Sequence, residues 1–125
     1  MSVNVPTSRL KKICNPFENS PWETSVSLDE VRLAIKNCDF VEPWDSQNTE
    51  DHAGRIALLV VKGWDDPIDI DVGCPILSYW PDWIIQDGNH RTAAAIYLKK
   101  RYIKASVAGQ MDYAKKLLGV DCCEP

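Results

Sequence analysis

The chain has 125 residues, 45% hydrophobic and 26% charged, which predicts one globular domain. Its formal net charge of −4 disfavours tight sequence-independent DNA binding, which needs a basic surface that releases counterions. No apolar run approaches the roughly 20 residues of a membrane-spanning helix, and no signal-peptide core precedes the domain, so we expect a cytoplasmic protein without a membrane partner. Five cysteines without C-x-x-C spacing argue against a disulfide framework and against structural zinc.

The first predicted helix lies behind an irregular N-terminal segment. Residues 1–26 contain three prolines and no regular hydrophobic period, so we expect an extended arm ahead of a single domain at residues 27–125. That domain begins with a capping box, in which Ser27 caps the first turn and Glu30 reaches back to it. Apolar residues then recur at helical spacing as far as Cys38, which predicts an amphipathic helix.

A second helix is predicted after a loop that runs from Phe40 to Asn48. Thr49 is suited to cap this helix, which we expect to continue to Lys62 and to stop at Gly63. The run Ile56–Val61 is also apolar and β-branched, so a strand remains the alternative for that part of the segment.

Strands and helices alternate in the rest of the chain. Period-two alternation predicts a half-exposed strand at Ile68–Val72, and two further strands are predicted at Asp82–Gln86 and Tyr102–Ala108. Apolar residues from Met111 to Leu118 have helical spacing and predict a short terminal helix. The predicted fold class is therefore α/β or α+β, with a small mixed β-sheet and flanking helices.

The segment Trp83–Leu98 carries the strongest functional pattern. Its apolar run breaks at Asp87 and Gly88 and restarts as an alanine-rich helix with His90 and Arg91 in the first turn. The first N–H groups of a helix lack intrahelical partners, and the helix dipole adds partial positive charge there. A guanidinium and an imidazole at the same point predict an anion site, with phosphate as the favoured ligand.

The predicted phosphate-binding residues are consecutive and comprise the turn and the first helical positions: Asp87, Gly88, Asn89, His90, Arg91 and Thr92. His90 and Arg91 are the catalytic candidates. Because the helix N-terminus and Arg91 both disfavour an imidazolium, we expect His90 to be neutral at pH 7. The structural alternative is that Asp87 caps the helix, His90 is a surface residue and Arg91 pairs with a carboxylate.

The stretch from Asp69 to Leu118 resembles the ParB/sulfiredoxin superfamily, in particular its ParB-N-like members from phages and plasmids. Those proteins carry a strand, an Asp-Gly-x-His-Arg turn, an alanine-rich helix and a strand leading to Val-x-Gly, and Asp87–Ala95 and Val107–Gly109 match this pattern. The resemblance implies a ParB/sulfiredoxin-like fold with a nucleotide phosphate over the turn. Sulfiredoxin-like enzymes have a cysteine where this chain has Asn89, so the resemblance does not extend to their reductase activity.

The cofactors that the resemblance implies are ATP, CTP or ADP with Mg²⁺, and an enzyme of this kind would be a nucleotide-dependent phosphotransferase or NTPase. The expected partner is a nucleotide or another phosphorylated small molecule.

His52 and Arg55 share one face of the predicted second helix. They either line the same pocket as His90 and Arg91 or form a solvated face paired with nearby acids.

Two other functions remain open from the sequence. One is a non-catalytic phage- or plasmid-type binder of a host factor or nucleic acid. The other is a weak metal-dependent nuclease, for which Asp69 and Asp71 could hold Mg²⁺ and Glu42 could act as a general base, although alternating acids more often mark a solvated sheet face. No residue is assigned as a metal ligand, and the oligomeric state is not predicted.

A cluster of basic residues follows the motif helix and comprises Lys99, Lys100, Arg101 and Lys104. Such runs are usually solvated faces. A local basic patch stays open as the alternative, and nucleic acid is therefore a partner that the sequence allows without favouring it.

Overall fold

A four-stranded mixed sheet organises the fold, and the computed structural model describes it within residues 2–120. The strands are β1 (Ser2–Pro6), β2 (Ile68–Asp71), β3 (Ile85–Asp87) and β4 (Tyr102–Ala108). The helices are α1 (Thr7–Ile13), α2 (Leu28–Lys36), α3 (His52–Lys62), α4 (Asn89–Tyr97) and α5 (Met111–Leu118), with a 3-10 turn at Pro75–Leu77. The last five residues of the predicted domain, with Cys122 and Cys123, lie outside this described part.

The strand order is β1-β4-β2-β3. β4 pairs antiparallel with β1 and parallel with β2, and β2 pairs antiparallel with β3. The predicted mixed sheet with flanking helices is thereby confirmed as an α+β fold. No helix in the described range 2–120 is both long enough and apolar enough to cross a bilayer.

Helix α4 joins the two hydrophobic cores of the protein. Ala95 belongs to the core that packs on the sheet, whereas Ala93 and Ala94 belong to the core formed with α2 and α3. All three alanines are fully buried. Their small side chains let α4 approach the sheet and α3 closely, and this fixes the position of its N-terminus.

The prediction of an extended arm is wrong for the first part of residues 1–26. Ser2–Pro6 forms β1, which pairs with β4 over five residues, and α1 follows directly. Val5 and Leu10 are fully buried in the sheet core. A strand of five residues and a helix of seven are too short to show a period of their own, so their structure comes from pairing and burial.

Helices α2 and α3 form where the sequence predicts helices, but a different residue caps α3. The predicted capping box of α2 is present, with Ser27 and Glu30 exchanging hydrogen bonds of 3.0 and 3.1 Å. Thr49 does not cap α3. Asp51 does so instead, and its side chain accepts a hydrogen bond from the Gly54 N–H at 2.9 Å. The segment Ile56–Val61 is helical, so the strand alternative is wrong.

The strand before the motif lies later in the chain than predicted. It spans Ile85–Asp87, whereas the sequence predicts Asp82–Gln86. Pairing with β2 decides its position, since Ile85 lies opposite Ile70. The strand therefore runs into the turn directly, and Gly88 is the residue that starts α4.

Gly88 occupies a position that a side chain cannot share. Its φ is +105°, and an added Cβ would overlap the Ile68 side chain in β2. We expect Gly88→Ala to lower the free energy of unfolding by more than the matched change Gly119→Ala. At Gly119, φ is +66° and the nearest atoms, 3.2 Å away, belong to the flexible end of Arg9. The control change therefore costs only the backbone strain of about 1–2 kcal/mol.

Urea denaturation of the two variants and of the parent protein measures this difference. Equal losses at the two glycines would contradict the close approach of the turn to β2.

Candidate functional site

The turn between β3 and α4 is stabilised from inside the protein. Gly88 precedes α4 in the left-handed conformation, and its carbonyl accepts hydrogen bonds from the Thr92 N–H and hydroxyl at 2.8 and 2.9 Å. Thr92 is fully buried. The Asn89 carboxamide oxygen accepts a hydrogen bond of 2.7 Å from the indole of Trp83. The side chains of Asn89 and Thr92 therefore shape the turn, and the Thr92 N–H is already used in it.

A pocket of about 220 Å³ lies at this turn. Its lining combines the loop before α3, one face of α3 and the start of α4: Val41, Pro43, Arg55, Leu58, Leu59, Asp87, Gly88, His90 and Arg91. Four of the six residues of the predicted phosphate-binding turn are in this lining, and Arg55 joins them from α3. His52 is absent from the lining and contacts the site through His90.

The two histidines of the chain form a hydrogen-bonded pair. His52 Nδ1 and His90 Nε2 are 2.9 Å apart, and His52 is only 8% exposed. The indole of Trp22 stacks on both imidazoles, with ring centroids 4.6 Å away in each case. This cluster joins α3 and α4 to the irregular segment before α2, and it places the start of α4 relative to α3.

The sequence analysis missed the role of Trp22. Trp22 lies in residues 1–26, where the lack of a regular hydrophobic period predicted only an extended arm. For the histidine pair itself the sequence held a weak signal, because the chain has only two histidines and both have an arginine close by.

Burial lowers the pKa of His90 to about 4, and the positive charge of Arg55, with that of His52 when it is protonated, acts in the same direction. Burial also lowers the pKa of His52. Both imidazoles are therefore neutral at pH 7. The expected neutral state of His90 holds, but its main causes are desolvation and these two neighbours rather than Arg91 and the helix N-terminus.

Glu50 favours one arrangement of protons in the histidine pair. Its carboxylate lies 4.0 Å from His52 Nε2, and this attracts a proton to that nitrogen. His52 Nδ1 then accepts a hydrogen bond, and His90 Nε2–H donates it. In this tautomer the lone pair of His90 resides on Nδ1.

Arg55 is held in the pocket wall by main-chain acceptors. Its guanidinium donates to the carbonyl oxygens of Glu42, Pro43 and Asp45 at 3.4, 3.5 and 2.8 Å. Among residues 2–120, no carboxylate lies within 4.0 Å of it. Arg55 is therefore fixed in place while its charge lacks a direct counter-ion in the described structure.

Arg91 is held more tightly than the sequence suggested. It donates two hydrogen bonds of 3.0 Å to the carbonyls of Asp66 and Pro67, and it pairs with the Asp87 carboxylate at 3.2 Å. The Arg91 side chain is 17% exposed, whereas that of Asp87 is 72% exposed. The carboxylate pairing of the structural alternative is thus present, in a residue that also lines the pocket.

The acidic residues considered for a nuclease do not converge. Asp71 accepts a hydrogen bond from the Gly73 N–H at 2.9 Å, and Asp69 lies opposite Asp87 in the sheet register. The Glu42 carboxylate is 3.8 Å from the ammonium group of Lys62. Within the described chain, no three His, Cys, Asp or Glu side chains are placed to hold a metal ion.

The half-buried imidazole of His90 makes stability depend on pH. Folded His90 binds its proton near pH 4, whereas the unfolded imidazole does so near 6.5. Because the unfolded chain binds more protons between these values, the free energy of unfolding should fall as the pH is lowered from 6.5 to 4, by up to about 3 kcal/mol. Urea denaturation across this range measures the loss. His90→Gln should lose less than the parent protein, and parallel curves would contradict the half-buried neutral imidazole.

No family model, curated protein or solved structure matches this chain. The likeness of Asp87–Ala95 and Val107–Gly109 to the ParB/sulfiredoxin superfamily therefore stays a prediction.

Proposed function

We propose that this protein binds a phosphorylated small molecule, with a phosphate group held between Arg55 and the N-terminus of α4. One observation carries the proposal. Arg55 is a fixed guanidinium at a pocket, held by three carbonyls and without a carboxylate within 4.0 Å among residues 2–120. A preorganised cation of this kind gains a charge-assisted hydrogen bond when an anion binds.

The opposite side of the pocket supports the same ligand. The first N–H groups of α4 have no partner in the helix, and the dipole of the helix favours negative charge beside them. Gly88 lines the pocket with its backbone, while the space that its Cβ would take is filled by the Ile68 side chain. Arg91 adds a second guanidinium whose only carboxylate partner among the described residues is the exposed Asp87.

The size of the pocket limits what it encloses. Its volume of about 220 Å³ is below the range of about 300–1,000 Å³ that encloses a drug-sized ligand. In our proposal the pocket holds the phosphate part of a nucleotide, with the base and sugar outside it. ATP, CTP and ADP with Mg²⁺ are the candidates, and the ion would be held by phosphate oxygens and water, as Mg²⁺ commonly is.

The proposal includes a ParB/sulfiredoxin-like fold and a cytoplasmic location.

If the bound phosphoryl group is transferred or hydrolysed, positioning and charge neutralisation supply most of the catalysis. His90 is then the candidate to accept a proton, because it is neutral at pH 7 and lines the pocket. Arg91 is the candidate to stabilise developing charge. Measured turnover of nucleotide separates this enzyme from a protein that only binds.

Removing the charge of Arg55 tests the binding site. We expect isothermal calorimetry to detect binding of at least one of ATP, CTP, ADP and inorganic phosphate to the parent protein. Arg55→Gln should weaken that binding by tenfold or more, because a hydrogen bond to a charged group contributes about 1.5–3 kcal/mol. Arg32→Gln is the matched control, since Arg32 lies on the exposed face of α2 and pairs with Asp29.

Three outcomes would contradict the proposal: no heat of binding for any of these compounds, equal affinity in the parent protein and Arg55→Gln, or an equal loss in the two variants. Thermal unfolding of each variant, compared with the parent protein, shows whether the loop held by Arg55 still supports the fold.

A further inference from the structure

Positive charge is concentrated in three short segments of this acidic chain. Nine of the 14 lysines and arginines lie in α1, in the turn and first half of β4, and in α5: Arg9, Lys11, Lys12, Lys99, Lys100, Arg101, Lys104, Lys115 and Lys116. Asp112 is the one acidic residue in these segments. The net charge of −4 therefore conceals a strongly basic region.

The three basic segments are in contact with one another. The Thr7 N–H donates to the carbonyl of Arg101 at 3.0 Å, so α1 begins beside the basic turn before β4. The Arg9 guanidinium donates to the carbonyls of Lys116 and Leu117 at 3.3 and 3.4 Å, which joins α1 to the end of α5. α1 and α5 pack on the core side of the sheet through Leu10 and Leu118, so we keep the name basic face for the cluster of Lys100, Arg101, Tyr102 and Lys104 at the start of β4.

Two aromatic rings lie at the basic face. Tyr102 is 46% exposed, and the guanidinium of Arg101 lies 5.6 Å from its ring centroid. The ammonium of Lys100 lies 5.2 Å from the Trp64 ring. A pocket of about 220 Å³ at this point is lined by Asn4, Trp64, Asp65, Lys100, Tyr102, Ile103 and Lys104.

The cations around these rings have no ion-pair partner in the described structure. Among residues 2–120, no carboxylate lies within 4.0 Å of Lys100, Arg101 or Lys104. Tyr102 and Lys104 alternate with the buried Ile103 along β4, so both project from the face of the sheet that is turned away from the core. This combination of free cations and an accessible ring is the composition of a stacking platform for bases beside a track for phosphates.

We propose that the basic face binds single-stranded nucleic acid, with a base stacked on Tyr102 and the phosphate backbone following Lys100 and Lys104. The rings favour this ligand over an anionic membrane or an acidic protein segment, because base stacking uses an exposed aromatic surface directly. A duplex hides its bases and would use only the charges. The proposal does not depend on a phosphate at the α4 turn.

Fluorescence polarisation with a labelled single strand of about 12 nucleotides tests the proposal. This length lies within the range of about 4–16 nucleotides that one single-strand-binding OB fold covers. We expect the full chain to bind with a Kd on the order of 10⁻⁵ M, more weakly as salt is raised. Lys100→Glu/Lys104→Glu should weaken binding by tenfold or more. Lys36→Glu/Lys62→Glu is the matched control, because it changes net charge equally on α2 and α3, outside the basic face.

Tyr102→Ala separates stacking from charge and should weaken single-strand binding by about tenfold. Lys100→Gln/Lys104→Gln replaces the double glutamate variant if circular dichroism shows that the latter is unfolded. The proposal is overturned by absence of binding at low salt, by equal losses in the two double variants, or by an unchanged Kd in Tyr102→Ala. Tighter binding to duplex or to anionic phospholipid vesicles than to the single strand also overturns it.

Discussion

The close packing of α4 between two cores is the constraint on which the candidate site depends. Three consecutive alanines, fully buried, bring the helix against the sheet on one side and against α2 and α3 on the other. Larger side chains at these positions would push the helix away from one core. The N-terminus of α4 therefore has a fixed position beside α3. Gly88 forms the turn before it, where an added Cβ would overlap the Ile68 side chain.

The electrostatics of the site follow from that packing. His90 and His52 meet across α3 and α4 under the Trp22 ring, and burial keeps both neutral at pH 7. A neutral pair avoids the cost of burying two positive charges next to each other. Arg55 is then a cation in the pocket wall with no carboxylate within 4.0 Å among residues 2–120. The arrangement suits an anion that brings its own negative charge.

Several features that depend on neighbouring residues, such as helix caps and turns, were predictable from the sequence. The capping box of α2, the break at Gly88 and the strand–turn–helix order of the motif are all present. β1 and α1 could not be predicted in this way, because they are short and their structure depends on pairing with β4 and on burial of Leu10. The cap of α3 was misassigned because Thr49 and Asp51 are both good capping residues and only the backbone path selects one.

The candidate site was predictable in composition and much less so in geometry. The sequence singled out both His-Arg pairs, and the structure brings Arg55 and His90 to one pocket. Nothing in the sequence indicated that Arg91 would donate to the carbonyls of Asp66 and Pro67, because every residue type carries a main-chain carbonyl. Trp22 was missed for a related reason: its contacts join segments about thirty and seventy residues apart in the chain.

A titration followed by amide nuclear magnetic resonance tests whether phosphate binds between Arg55 and the start of α4. As ATP with Mg²⁺ or inorganic phosphate is added, we expect the largest shifts for the backbone N–H groups of Asn89, His90 and Arg91 and for the Arg55 side chain. The amides of α5, none of whose residues lines the pocket, should stay almost unchanged. Saturable shifts elsewhere with none at the start of α4, or no saturable shifts at all, would contradict this binding site.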